Sequence, residues 1–152
     1  MAGPSAVRVA LCMLLLCFSL TSCDLVRQAL RPSMDVDYND HKLNDGLQLL
    51  LHQNTSARLS DFTSWEWDEV HLFHEWTGRE FIEETVGAPV IKNDFYDSKA
   101  SLLIFENHGK PVKAAGVSAD YLRGDNHRVT FPADVVVTPG GGGYLMLTAP
   151  AT

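Results

Sequence analysis

The plainest periodicity in the chain is Leu43, Leu47, Leu50 and Leu51, which fall at i, i+4, i+7 and i+8 and so line one face of a helix. Gly46 lies inside that pattern, where glycine costs about 1 kcal/mol relative to alanine. Trp65 to Phe73 alternates instead, as a strand does. Trp65, Trp67, Glu69, His71 and Phe73 then share one face, with Glu66, Asp68, Val70, Leu72 and His74 on the other. Thr77-Gly78-Arg79-Glu80 has the spacing of a capping box, and Phe81, Ile82, Thr85 and Val86 follow at helical intervals. Gly87 and Pro89 end that helix. Ser101 to Phe105 and Val112 to Val117 are apolar runs flanking Asn107-His108-Gly109-Lys110, a hairpin signature. Val129 to Val137 is a further strand candidate whose first half Pro132 confines to an edge. Gly140 to Gly143 reads as a flexible joint before a short last strand, Tyr144 to Leu147. These elements predict an α+β fold, a small antiparallel sheet of about four strands with one or two helices.

The amino terminus follows a different logic. Val9 to Leu20 is an uncharged apolar run behind Arg8, too short for the ~20 residues that span a bilayer, and it has the organisation of a secretion signal. It ends in Leu20-Thr21-Ser22-Cys23, which resembles the lipobox of bacterial lipoprotein signal peptides. The resemblance implies cleavage before Cys23 and attachment of diacylglycerol to its sulfur, and two acyl chains hold a protein stably on a membrane. The other readings are an ordinary cleaved signal or a retained membrane helix, neither of which calls for a cysteine here. The expected organisation is a signal peptide over 1–22, a lipidated start and polar tether over 23–40, and one α+β domain over 41–152. The chain would then sit on the cell membrane or outer membrane with its domain on the extracytoplasmic side. Cys12 and Cys17 would leave with the signal, so no disulfide is available to the domain.

A second likeness lies further along. Trp67-Asp68-Glu69-Val70-His71-Leu72-Phe73, then Thr77 opening a helix that ends at Gly87, then a hairpin turning at Asn107 to Lys110, resembles a family of small uncharacterised bacterial lipoproteins. That resemblance implies a fold and a location, and brings no activity with it.

Charge narrows the function classes. With 12 Lys and Arg against 19 Asp and Glu the chain carries −7, which argues against nucleic acid as a partner. Residues 61–84 hold eight acids against Arg79 alone, close to Trp65, Trp67 and Trp76. A partner surface made of Trp65, Glu66, Trp67, Asp68, Glu69, Glu75 and Trp76 is the expected site, suited to a basic protein. The plainer reading is a solvated helix face. Catalytic signatures are weak. His71 and His74 sit at i and i+3 of a strand, facing opposite ways, so neither a metal nor another cofactor is expected. Gly116-Val117-Ser118-Ala119-Asp120 lacks the second glycine of a nucleophile elbow. The expectation is therefore a membrane-anchored binding module and not an enzyme. One alternative is an immunity-type protein that neutralises a basic toxin. Another is a metal-dependent or hydrolytic enzyme using His71 and His74.

Overall fold

A computed structural model describes residues 31–149; the expected signal peptide over 1–22, with Leu20, Thr21 and Ser22, and the expected lipidation site Cys23 lie outside them. The described residues form an α+β fold of two helices and nine strands in two mixed sheets. Strands β1 (Val36–Asp37), β3 (Glu69–Phe73), β4 (Ser101–Asn107), β5 (Lys110–Val117) and β7 (Thr130–Pro132) build a five-stranded sheet in the order β1-β5-β4-β3-β7. Strands β2 (Ala57–Arg58), β6 (Leu122–Gly124), β8 (Val136–Gly141) and β9 (Tyr144–Thr148) build the other, ordered β2-β8-β9-β6. Two pairings, β1 with β5 and β6 with β9, are parallel.

Strand β4 is central and buried on both faces. Its alternation sends Leu103 and Phe105 into a core shared with the second sheet, where Leu122, Val137, Leu145 and Leu147 meet them. Leu102 and Ile104 point the other way, into a smaller core closed by Ile82 and Val86. Those two come from the helix Arg79–Val86, here α2. The helix His41–Gln53, here α1, covers the larger core with Leu43, Leu47 and Leu50, the face its leucine spacing predicts.

Local details depart from expectation in instructive ways. The hairpin turn is the two residues His108 and Gly109, both with positive φ (53° and 69°); this is the backbone that two-residue hairpins require. Gly140 to Gly143 is no flexible joint, because Gly141 pairs with Tyr144 to close the β8–β9 hairpin. Val129 to Val137 divides between the two sheets, with Pro132 on the edge strand β7, where its missing N–H is harmless. Thr77 does not cap α2. Its hydroxyl donates to the His74 carbonyl at 2.7 Å, and Gly78 takes the cap position without a side-chain bond. The stretch assigned to a tether also reaches less far than residue 40. Val36 and Asp37 add a strand to β5, Asp37 pairs with Lys113 at 2.6 Å, and Asp40 caps α1 by accepting from Leu43 N at 3.0 Å.

Gly46 has a packing reason. A Cβ there would collide with the ring of Phe62, which lies against the helix at that point and packs on the larger core. Gly46→Ala should therefore destabilise the protein by about 1–3 kcal/mol, opposite in sign to the ~1 kcal/mol gain of an ordinary helix position. Chemical denaturation checks this, and Phe62→Ala in the same chain should remove most of the penalty.

Candidate functional site

The seven residues of the expected surface do not form one patch. The chain is not a strand before Glu69, so Trp65 and Trp67 escape the alternation and turn to the opposite side of the sheet from His71 and Phe73. Both stack edge-on against Phe105, with ring centroids 5.0 and 5.1 Å away. Trp67 is buried and its Nε1 donates to Thr63 Oγ1 at 3.0 Å. These two tryptophans are core. Asp68 is structural as well: its Oδ2 accepts the His108 N–H at 2.8 Å and fastens the β4–β5 turn. Glu66 is exposed and Glu69 half-buried.

Trp76 stands apart, 68% exposed. It occupies the third position of a turn from His74 to Thr77 closed by Thr77 N–H to His74 O at 3.1 Å. Its φ of 68° is one that turns of this kind give to glycine or asparagine. Segment 76–79 runs antiparallel to 94–96. Trp76 N donates to Tyr96 O at 2.7 Å, Tyr96 N to Thr77 O at 2.9 Å and Arg79 N to Asp94 O at 2.8 Å. The Arg79 guanidinium reinforces this with Asp94 Oδ1 at 2.7 Å. The ladder holds Phe95 opposite Gly78, and Phe81 lies in the first turn of the helix that follows. Phe95 and Phe81 are 51% and 49% exposed; with Trp76 they are the only exposed Phe or Trp side chains among the described residues. The stretch 75–97 that carries them holds Glu75, Glu80, Glu83, Glu84, Asp94 and Asp97 against Arg79 and Lys92. Phe95 also forms the lip between two shallow hollows. One of about 250 Å³ is lined by Met34, Val36, Tyr38, Val90 and Tyr96; the other, of about 240 Å³, by Gly78, Arg79, Glu80 and Asp94. Residues 90–97 were not singled out by sequence, because nothing in their composition marks Phe95 as a surface residue.

The two histidines diverge, as strand geometry requires. His71 is buried beside Glu69 and Glu106, with Nδ1 2.9 Å from Thr130 Oγ1. His74 lies with Nδ1 2.7 Å from Asp120 Oδ1, which also accepts from Ser101 Oγ at 3.0 Å and meets Arg123 at 3.2 Å. This is not a nucleophilic triad, since the serine hydroxyl is spent on the carboxylate and not on the imidazole. Partial burial pushes the Asp120 carboxyl up, and the bonds from His74 and Ser101, with the His74 and Arg123 charges, outweigh it and hold the group below its ordinary value. Among the described residues no helix is long and apolar enough to cross a membrane.

Comparison of the chain with known protein families, with curated proteins and with solved structures found no match.

Ser101 is wholly buried, so Asp120→Ala should cost about 1–3 kcal/mol by stranding its hydroxyl. A carboxyl whose folded value is depressed stabilises the fold above its unfolded value, ~3.9, and loses that contribution as pH falls through the folded value. The stability gap between wild type and variant, followed by urea unfolding, should hold from neutral pH to about 4 and narrow below it.

Proposed function

We propose that this protein is a membrane-anchored cell-envelope lipoprotein whose domain binds a protein partner through the corner carrying Trp76, Phe81 and Phe95. The anchor reading rests on Leu20-Thr21-Ser22-Cys23 and the apolar run before it. The binding reading rests on one observation above others: a tryptophan, largely in water, held at a positive φ where glycine is the unstrained choice. Left-handed backbone costs a residue with a side chain about 1–2 kcal/mol. Such strain, at an exposed position where Trp76 stacks on no other ring among the described residues, favours a role in recognition. Tryptophan and phenylalanine anchors within a polar rim have the anatomy of an interface centre. The acidic balance of residues 75–97 favours a basic partner, for which it would raise the association rate at low salt. Binding is also a better account than hydrolysis, because Ser101 is committed to Asp120.

Trp76→Gly separates this reading from a structural one. It relieves the strained φ, so thermal unfolding should show an unchanged or higher Tm, while partner capture from detergent-solubilised host membranes should fall at least tenfold, the ~1.4 kcal/mol or more of a hot-spot residue. Capture that survives Trp76→Gly and Phe95→Ala together would remove the corner from the interface. Intact-mass measurement should find the mature chain beginning at a diacylated Cys23, and Cys23→Ser should release the domain from membranes.

A further inference from the structure

We propose that Glu69, His71 and Glu106 form a binding site for one divalent transition-metal cation of the zinc type. The three side chains lie on the face of the five-stranded sheet that carries Phe73 and Ile104. Glu69 and His71 are two apart on β3, and Glu106 is the direct cross-strand partner of Glu69 on β4. One ligand atom from each lies within 4.8 Å of the other two.

Four features point to a cation there. Two carboxylates directly opposed across strands repel one another, and Glu106 is 5% exposed, where an uncompensated charge is costly. His71 Nε2 and Glu106 Oε1 are both buried and make no hydrogen bond, although each aims at the same small space. The spacing is the third. His71 Nε2 lies 3.6 Å from Glu69 Oε1 and 3.5 Å from Glu106 Oε1, too long for hydrogen bonds. Ligands held at ~2.0–2.2 Å around a tetrahedral ion sit ~3.3–3.5 Å from each other. The fourth is the support behind the ring. Thr130 Oγ1 on β7 lies 2.9 Å from His71 Nδ1 and holds the ring with Nε2 towards the carboxylates; with the Nδ1 proton given to that hydroxyl, Nε2 keeps a lone pair for the ion, the arrangement usual behind metal-bound imidazoles. The β4–β5 register shifts between Phe105 and Glu106, and such bulges re-aim a side chain. One imidazole and two carboxylates suit zinc and neighbouring first-row ions. The half-exposed Glu69 side chain gives the ion a way in, and three protein ligands leave a position for water.

Full-length protein, purified in detergent and stripped with chelator, should take up one equivalent of Zn²⁺ by calorimetry, with a rise in Tm that chelator reverses. Co²⁺ should give the visible absorption of a low-coordinate N,O site. Glu69→Gln, at a half-exposed side chain, should keep the fold and weaken Zn²⁺ binding at least ~10-fold, and Glu106→Gln should do the same. Thr130→Val should weaken it ~10–100-fold while the Co²⁺ band persists, the mark of a positioning residue. The competing arrangement is a protonated His71 between the carboxylates. It predicts no stoichiometric uptake and a Tm indifferent to Zn²⁺ and chelator. Either result, or Zn²⁺ affinity unchanged in both glutamine variants, would overturn the proposal.

Discussion

Everything in the domain is arranged about a strand with no solvent face. Six consecutive residues of β4, Ser101 to Glu106, are buried, so both of its sides must be covered, one by a second sheet and α1, the other by α2. That demand explains why, among the described residues, two short helices accompany two sheets. It also explains the polar residues inside. The alternation that sinks Leu102 and Ile104 into the smaller core carries Glu106 to that same side, and the alternation that sinks Leu103 carries Ser101 towards Asp120. Ser101 is matched by Asp120 in the loop after β5, while Glu106 faces His71 and Glu69 of β3 with Oε1 left without a hydrogen bond.

A second constraint ties the helical side to this sheet. Asn44 of α1 is buried, donates to Asp40 O at 3.1 Å and Gly116 O at 3.3 Å, and accepts from Ser118 N at 2.9 Å. Gly116 has no room for a side chain because the Tyr38 ring covers it. The segment before α1 is thus gripped from β5. Its residues Asp35 to Asp40 read as polar tether because a two-residue edge strand has no periodicity to display; Asp37 and Asp40 are charged for pairing and capping, not for solvation.

What could be read from sequence alone follows the same division. Period and turn chemistry are local, and they located α1, α2 and the β4–β5 hairpin, down to Gly87 in its left-handed conformation. Even the faces of β3 were legible for Glu69 to Phe73. The error over Trp65 and Trp67 came from extending that alternation into a segment without ladder bonds, where two apolar rings collapse onto Phe105 from whichever side is open. The pairing of Glu69 with Glu106 was out of reach, since 37 residues separate them and only register across β3 and β4 brings them face to face. Phe95 was hidden for a related reason, because its exposure depends on backbone bonds to Trp76, Thr77 and Arg79.

All three cysteines of the chain fall at or before residue 23, so the described residues hold no disulfide. Domains of this size can do without one if their cores are large enough, and here the apolar interior is split in two by the central sheet. The edge strand β7 is where that economy is thinnest. It has three residues, includes a proline, and pairs only with β3. Phe131 anchors it in the larger core, and Thr130, bonded to His71, ties it to the opposite face of β3. A cation drawing His71 towards Glu106 would therefore bind β3 to β4 directly and β7 indirectly. Coordination at that point would act on a three-residue edge strand that ladders to one neighbour only, where a non-covalent clasp resists local opening.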